Sequence, residues 1–240
     1  MNTSYSQSFK SSPRSEFLAG ARAIFPLVVG AIPFGIIFGT LAAGSGLSFA
    51  GTMAMSAFVY AGSSQFIAIG LITAGTAVPL IILTTFVVNL RHLLYAVSLV
   101  PHLQHLTSSW KLPLGFWLTD EAFAVAIARY NQQDGSPYRH WYHLGAALFM
   151  YINWQVCTFL GLTVGQAIPN ATAWGLDFAM SATFIGMVIP YVQNKPMLAT
   201  VVIAGGVALL AHGLPHQLGL MVAAIAGITA GMLTEKWTAH

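Results

Sequence analysis

The stretch TTFVVNLRHLLYAVSLVPHL, residues 84–103, is long and apolar enough to cross a bilayer, yet it holds Asn89, Arg91 and His92 near its middle. On a helical wheel at about 100° per residue, Thr84, Thr85, Asn89, Arg91, His92, Tyr95 and Ser98 fall in one half. Leu83, Phe86, Val87, Leu90, Leu93, Leu94 and Val97 fall in the other, and Val88 and Ala96 are the apolar residues on the polar side. One face therefore suits lipid or packed apolar helices, and the other suits a bundle interior or a water-filled path. An arginine at the centre of a membrane helix costs about 2.5–3.5 kcal/mol even on insertion scales, so it needs a partner, and such residues usually mark function.

The rest of the chain has the same character. Of 240 residues, 56% are hydrophobic and 6% charged, where a soluble domain carries roughly 25% charged residues. Mean hydropathy is +0.72. Apolar runs of about 20 residues recur, each of bilayer length. They are continuous, unlike the short alternating segments of a membrane barrel. The fold class is an all-α polytopic transmembrane helix bundle. Eight helices are expected, at about 18–42 (interrupted by Pro26 and Pro33), 50–73, 77–100, 114–130, 141–165, 173–192, 196–212 and 216–233; seven is the alternative count. The segment at 114–130 is short, and a re-entrant course is the alternative to spanning. Residues 1–16, polar and Ser-rich, read as a disordered cytoplasmic tail and not as a cleaved signal segment. Residues 17–240 read as a single transmembrane domain.

Basic residues in loops orient such a bundle. With the N-terminus inside and eight spans, Lys10, Arg14, Arg22, Arg129, Arg139, Lys195 and Lys236 fall inside and Lys111 falls outside, so both termini are expected in the cytoplasm. A seven-helix count breaks this pattern. A faint repeat, AMSAF at 54–58 with AMSATF at 179–184 and LRHLL at 90–94 with LAHGL at 210–214, suggests two weakly related halves. Such repeats are common in transporters.

The net charge of +3 does not point to nucleic acid, because the basic residues are dispersed and form no aromatic-interleaved stripe. The single cysteine, Cys157, lies in an apolar run and forms no metal or redox motif. The pair His212 and His216 is interrupted by Gly213 and Pro215, and His102, His105, His140 and His143 also lie near predicted helix ends. No HExxH, GxSxG, Walker A or GxGxxG motif occurs. Neither a metal, a cofactor nor enzymatic chemistry is expected.

The remaining intramembrane polar signals mark a path. Pro33 frees a backbone carbonyl, and Gly35 with Gly39 has the small-xxx-small spacing of close helix contacts. Gly62, Ser63, Ser64 and Gln65, in the middle of one apolar run, favour a local break whose N–H groups could meet a carboxylate; a polar helix contact is the other reading. Asp120 and Glu121 lie about 10 Å, and Arg91 about 13 Å, from the outer ends of their expected helices. An Arg91–Asp120 pair follows, serving either a substrate or proton role or only locking two helices. Asn153 lies near the middle of another helix, about 200° from Gln155 at helical pitch, and Asp177 lies near the start of the sixth.

The ordered set P33-F-G35-x3-G39, A61-G-S-S-Q65-F66, N89-L-R91-H92-x2-Y95 and L118-T-D120-E121-x-F123 resembles the AzlC family of branched-chain amino acid permeases. The likeness runs from about residue 17 onward; the last third matches mainly by D177-F178, P190 and hydropathy. The resemblance implies a multi-pass protein of the bacterial cytoplasmic (inner) membrane that exports Leu, Ile, Val and sometimes Met. It also implies a small hydrophobic AzlD-type membrane partner. The residues assigned to a substrate or proton pathway, from depth and polarity, are Pro33, Gly35, Gly62, Ser63, Ser64, Gln65, Asn89, Arg91, His92, Tyr95, Asp120, Glu121 and Asn153, with Phe34, Phe66 and Phe123 lining an apolar end. A proton gradient is the default energy source where no ATP motif is present. A channel or transporter for another small neutral solute, or a membrane scaffold without transport, is the alternative.

Overall fold

The computed structural model describes residues 12–132, 134–165, 185, 189, 192–214 and 218–238. Its elements are α-helices, here numbered α1 Pro13–Gly44, α2 Phe49–Phe58, α3 Gly62–Thr73, α4 Val78–Leu103, α5 Ser108–Phe116, α6 Asp120–Tyr130, α7 Arg139–Val164, α8 Lys195–Leu210 and α9 Leu218–Thr238. The all-helical membrane fold expected from composition is what the chain adopts. The helices α1, α4 and α7 are long and apolar enough to span a bilayer. The chain divides into two units, residues 1–75 with 81–176, and residues 76–80 with 177–240.

In the first unit, α1 starts earlier than the sequence suggested. Ser12 and Ser15 form a reciprocal capping box with Pro13 at the first helical position, a local start signal. Helix therefore reaches into the segment read as a disordered tail, and Glu16 is buried. The expected interruption of this helix is also corrected: α1 passes through Pro26 and Pro33 without a break. Its partner along the whole length is α7. Gly20 lies against the Tyr142 carbonyl, Gly39 against the backbone of Thr158 and Gly161, and Gly161 against the Ile36 carbonyl, each too close for a Cβ. The small-xxx-small pair Gly35 and Gly39 is thus a packing seam, which Thr40 Oγ1 reinforces by donating to the Gly161 carbonyl at 3.2 Å.

The expected helices 50–73 and 114–130 each consist of two short helices around a break, and both turn back. Phe49 meets Phe159, Ser56 meets Thr158, and Tyr60 reaches Tyr151 further along α7. From there α3 returns, with Gln65 at Trp154 and Phe66 at Phe38. The α2–α3 hairpin enters and leaves at the end of the bundle that carries Gly44. The α5–α6 hairpin does the reverse. Trp110 packs on His140 and Trp141, Phe116 and Trp117 reach Tyr151, and Arg129 returns to Glu16 at the end that carries Pro13. The re-entrant alternative holds for the 114–130 segment, and it carries Lys111 to the same end as Arg14, Arg129 and Arg139.

A repeat follows from this order. A long helix and a re-entrant helix pair (α1, α2–α3) recur about 59 residues later as α4, α5–α6, entering from the opposite end. The N-cap positions also correspond, Ser48 before α2 and Thr107 before α5, with a side-chain cap bond at Ser48 only. Inverted repeats of this kind are common in transporter folds. This repeat differs from the one read in the sequence at roughly twice that spacing, whose second copy at 179–184 lies outside the described residues.

The second unit contains α8 and α9, packed through small residues: Gly227 lies against Ala204 and the Thr200 carbonyl, and Gly231 against Thr200. Asn194 caps α8 by accepting from the Met197 N–H at 2.9 Å. The expected helix at 173–192 lies almost wholly outside the described residues, as do Asp177, Phe178, Pro190 and His216.

Candidate functional site

The helical wheel of α4 predicted its two faces. Leu83, Phe86, Val87, Leu90, Leu93, Leu94 and Val97 are exposed, as lipid-facing residues of a membrane helix are, whereas Thr84, Thr85, Asn89, Arg91, His92 and Tyr95 are turned inward. Only Ser98 departs from the pattern; it is exposed and donates to its own helix at Leu94. The inward face of α4 runs past the tips of both hairpins.

The first tip is the break at residues 59–61. Gln65 stabilises it. Its Nε2 donates to the Val59 carbonyl at 2.8 Å and to the Met55 carbonyl at 3.3 Å, a second bond to carbonyls that also accept the backbone N–H groups of Ala61 and Val59. Its Oε1 accepts from the Trp154 indole at 3.0 Å. The start of α3 has no side-chain cap, so the first N–H groups of that helix keep their positive end at mid-bundle depth. Gly62 is required for close approach: a Cβ there would lie 3.0 Å from the Trp154 ring. Irregular backbone at this depth is tolerated where protein or a cavity covers it.

The second tip is the break at residues 117–119. Thr119 caps α6 by accepting from the Ala122 N–H, and Asp120 and Glu121 occupy its first turn, where a helix end favours carboxylates. Arg91 joins the tips. Its Nη1 pairs with Asp120 Oδ2 at 2.9 Å, and its Nη2 donates to Ser63 Oγ at 2.6 Å. Next to it, Ser64 donates to Asn89 Oδ1 at 2.6 Å. The Arg91–Asp120 pair expected from depth is present, although re-entry rather than antiparallel spanning brings it about. With side chains 31% and 20% exposed, the pair is more open than the sealed Glu16–Arg129 pair at 7% and 8%.

Three buried polar atoms near these tips, Arg91 Nε, Asp120 Oδ1 and Trp117 Nε1, and Asn153 Nδ2 on α7 take no hydrogen bond among the described residues. Buried polar groups are nearly always paired, so these three donors and one acceptor stand out among the described residues. Trp117 is a residue that sequence reading missed, since a tryptophan in a short apolar helix carries no polar signal of its own. Tyr151 was missed for a similar reason. It stands between the tips, donating to the Ala57 carbonyl at 3.3 Å and packing on Tyr60, Phe116 and Trp117.

The remaining expected residues divide. His92 is held by the Asn89 carbonyl at 3.2 Å, and Tyr95 stacks on Phe123 with centroids 4.5 Å apart. Both lie on the inward face of α4. Phe66 is buried against Phe38. Two residues do not reach the tips: Pro33 is exposed, and Gly35 is enclosed in the α1–α7 seam against Cys157. Proline there leaves the helix continuous, so it offers no unwound backbone. Among the described residues, no group of three or more His, Cys, Asp or Glu is placed to hold a metal ion.

Known proteins share this sequence pattern. The family described as "AzlC protein" matches residues 26–168. The chain is 30% identical over 224 residues to "Inner membrane protein YgaZ" of Escherichia coli (strain K12), covering 91% of this chain and 89% of the relative. It is 29% identical over 179 residues to "Branched-chain amino acid transport protein AzlC" of Bacillus subtilis (strain 168), covering 72% and 68%. It is 31% identical over 229 residues to a membrane protein of Archaeoglobus fulgidus, covering 94% and 97%. No solved structure matches.

Proposed function

The chain belongs to the AzlC family of membrane transport proteins, and on that premise we propose that it exports branched-chain amino acids (Leu, Ile and Val, with Met as a further candidate) across the bacterial inner membrane. The observation that carries this reading is the charge pattern between the hairpin tips. An amino acid brings a carboxylate, an ammonium group and an apolar tail. The uncapped start of α3, with Arg91 Nε and Trp117 Nε1, supplies donors for the carboxylate, as half-helix N-termini do in other transporters. Asp120 Oδ1 and Glu121 supply acceptors for the ammonium group. Tyr95 and Phe123 supply an apolar wall.

Arg91 bridges one residue from each hairpin, Ser63 and Asp120, so a ligand that competes for Arg91 loosens the link between tips reached from opposite ends. That coupling suits alternating access. The proton gradient supplies the energy, with Asp120 or Glu121 as carrier, and a small AzlD-type membrane protein is the partner. The end carrying Arg14, Lys111, Arg129 and Arg139 faces the cytoplasm by the positive-inside rule; the loops at 45–48 and 74–77 contain no Lys or Arg.

The test is efflux of preloaded labelled leucine and valine from cells, with and without the partner, under an imposed pH gradient. Saturable, gradient-dependent efflux that is lost in Asp120→Asn and Arg91→Lys at equal membrane abundance is expected. Efflux indistinguishable from control, with both proteins in the membrane, overturns the reading. Opposed half-helices also build pores, which makes a channel for small neutral solutes the second reading; flux without saturation selects it.

A further inference from the structure

At the end of the bundle that carries Pro13, well away from the hairpin tips, is a cavity of about 270 Å³. The end of α4, His105, the end of α6, residues 135–137 and the first turn of α7 line it. Its polar lining includes His102, His105, Tyr130, Ser136, Arg139 and His140. No carboxylate is among the residues lining it; Glu16 and Asp134 pair with Arg129, and Ser136 Oγ donates to Glu16 Oε1 at 2.8 Å.

The imidazoles are placed but unspent. His102 stacks on Tyr130 with centroids 5.2 Å apart, and His140 packs edge-to-face on Trp110 at 4.6 Å. None of the three histidines makes a hydrogen bond among the described residues. Arg139 is fixed by bonds from Nε to the Ser136 carbonyl and from Nη1 to the Tyr130 and Gln132 carbonyls, which leaves its Nη2 edge and its charge to the cavity. The first turn of α7 has no side-chain cap, so the positive end of a 26-residue helix adjoins these groups. With the Arg139 guanidinium, the open start of α7 and three imidazoles facing it, and no acidic side chain in its lining, the cavity is matched to an oxyanion.

The depth of the cavity identifies the source. Trp110 and Trp141 pack together beside it, and tryptophans concentrate at the headgroup level of a membrane. Basic pockets among membrane helices at that level hold acidic headgroups. We propose that this cavity binds the phosphate of an anionic phospholipid, with His102, His105, His140 and Arg139 as its contacts. A choline headgroup, which places a cation beside the same phosphate, is rejected by these groups.

The full chain in neutral detergent is mixed with phosphatidylglycerol, phosphatidylcholine or inorganic phosphate, and lipid retention is read by native mass spectrometry beside the melting temperature. Retention of phosphatidylglycerol over phosphatidylcholine by tenfold or more is expected, with that preference lost in His105→Gln/His140→Gln. A melting temperature for the lipid-free double variant within a few degrees of the parent shows that the site and not the fold was changed. If the double variant unfolds, the single variants His105→Gln and His140→Gln are read instead, each weakening retention severalfold. Equal retention of both lipids, or a preference that survives the substitutions, overturns the proposal. Stabilisation by inorganic phosphate without retention of phosphatidylglycerol overturns the lipid assignment and leaves a soluble oxyanion as the ligand.

Discussion

Replacing Glu16 by alanine tests whether the start of α1 is an integral part of the bundle. The carboxylate accepts from Arg129 Nε at 3.1 Å, from Arg129 Nη2, and from Ser136 Oγ at 2.8 Å. It therefore ties α1 to the returning arm of the α5–α6 hairpin and to the loop before α7. Removing one partner of a buried ion pair costs about 3–5 kcal/mol, because the other charge is left uncompensated. Arg129 keeps Asp134 and the Gln132 side chain, and Asp134 is largely solvated, so the lower end, about 3 kcal/mol, applies. For a chain of this size each kcal/mol moves the melting temperature by about 2–4 °C, giving a fall of about 6–12 °C. Detergent-solubilised protein, heated and assayed for the surviving monodisperse fraction, measures it. Glu16→Gln, which keeps an acceptor, falls by less. In Glu16→Ala/Arg129→Met the orphaned charge is gone and part of the loss returns. The reasoning fails if Glu16→Ala melts within about 2 °C of the parent, as a disordered segment would require, or if its cost is the same with Arg129→Met already in place.

Three further outcomes follow from the geometry. Gly161→Ala places a Cβ against the Ile36 carbonyl and forces α1 and α7 apart at a cost of about 1–3 kcal/mol, measured as a lower melting temperature; Gly30→Ala, where nothing lies within 4 Å of the added carbon, serves as the control and leaves it unchanged. Single cysteines at Lys111 and Gln132 react with a membrane-impermeant thiol reagent from the same face, and one at Thr76 from the opposite face; labelling of Lys111→Cys and Gln132→Cys from opposite faces contradicts the re-entrant course of α5–α6. Asp134 is held below the usual carboxylate range, chiefly by its hydrogen bond with Arg129, so its contribution to stability is complete above the ordinary aspartate value of about 4 and is lost as pH falls through its lower folded value. A melting curve taken against pH in that acid range is correspondingly flatter for Asp134→Asn than for the parent.

Much of the site was legible because membrane burial makes polar residues conspicuous. Asn89, Arg91 and His92 stand out on α4, and two carboxylates at similar depth identified Asp120 as the arginine's partner. The run Gly62–Gln65 signalled a break near where α2 and α3 separate. Trp117 and Tyr151 escaped because their roles depend on which tip they face. Glu16 escaped because a polar, Ser-rich segment gives no local sign that its carboxylate will be buried by the end of α6 and the loop after it, 113 to 120 residues away. Pro33 misled in the other direction: a helix through the bilayer can retain an internal proline without unwinding.

The sequence by itself determined the solvent of this protein, its helical class, the two faces of α4 and the family to which it belongs, because hydropathy, periodicity and ordered motifs are local properties of the chain. Only the tertiary structure decided that the second and fourth apolar runs turn back instead of crossing. A re-entrant pair and a spanning helix have nearly the same composition and length of apolar chain; what separates them is whether neighbouring helices cover the open backbone at the turn. Trp154 and Gln65 do so for α2–α3, and the Thr119 cap with Arg91 does so at the start of α6. Of those contacts, Trp154–Gln65 and Arg91–Asp120 join residues far apart in the chain. They turn an arginine that looked like a liability in one helix into the link between the tips of two hairpins.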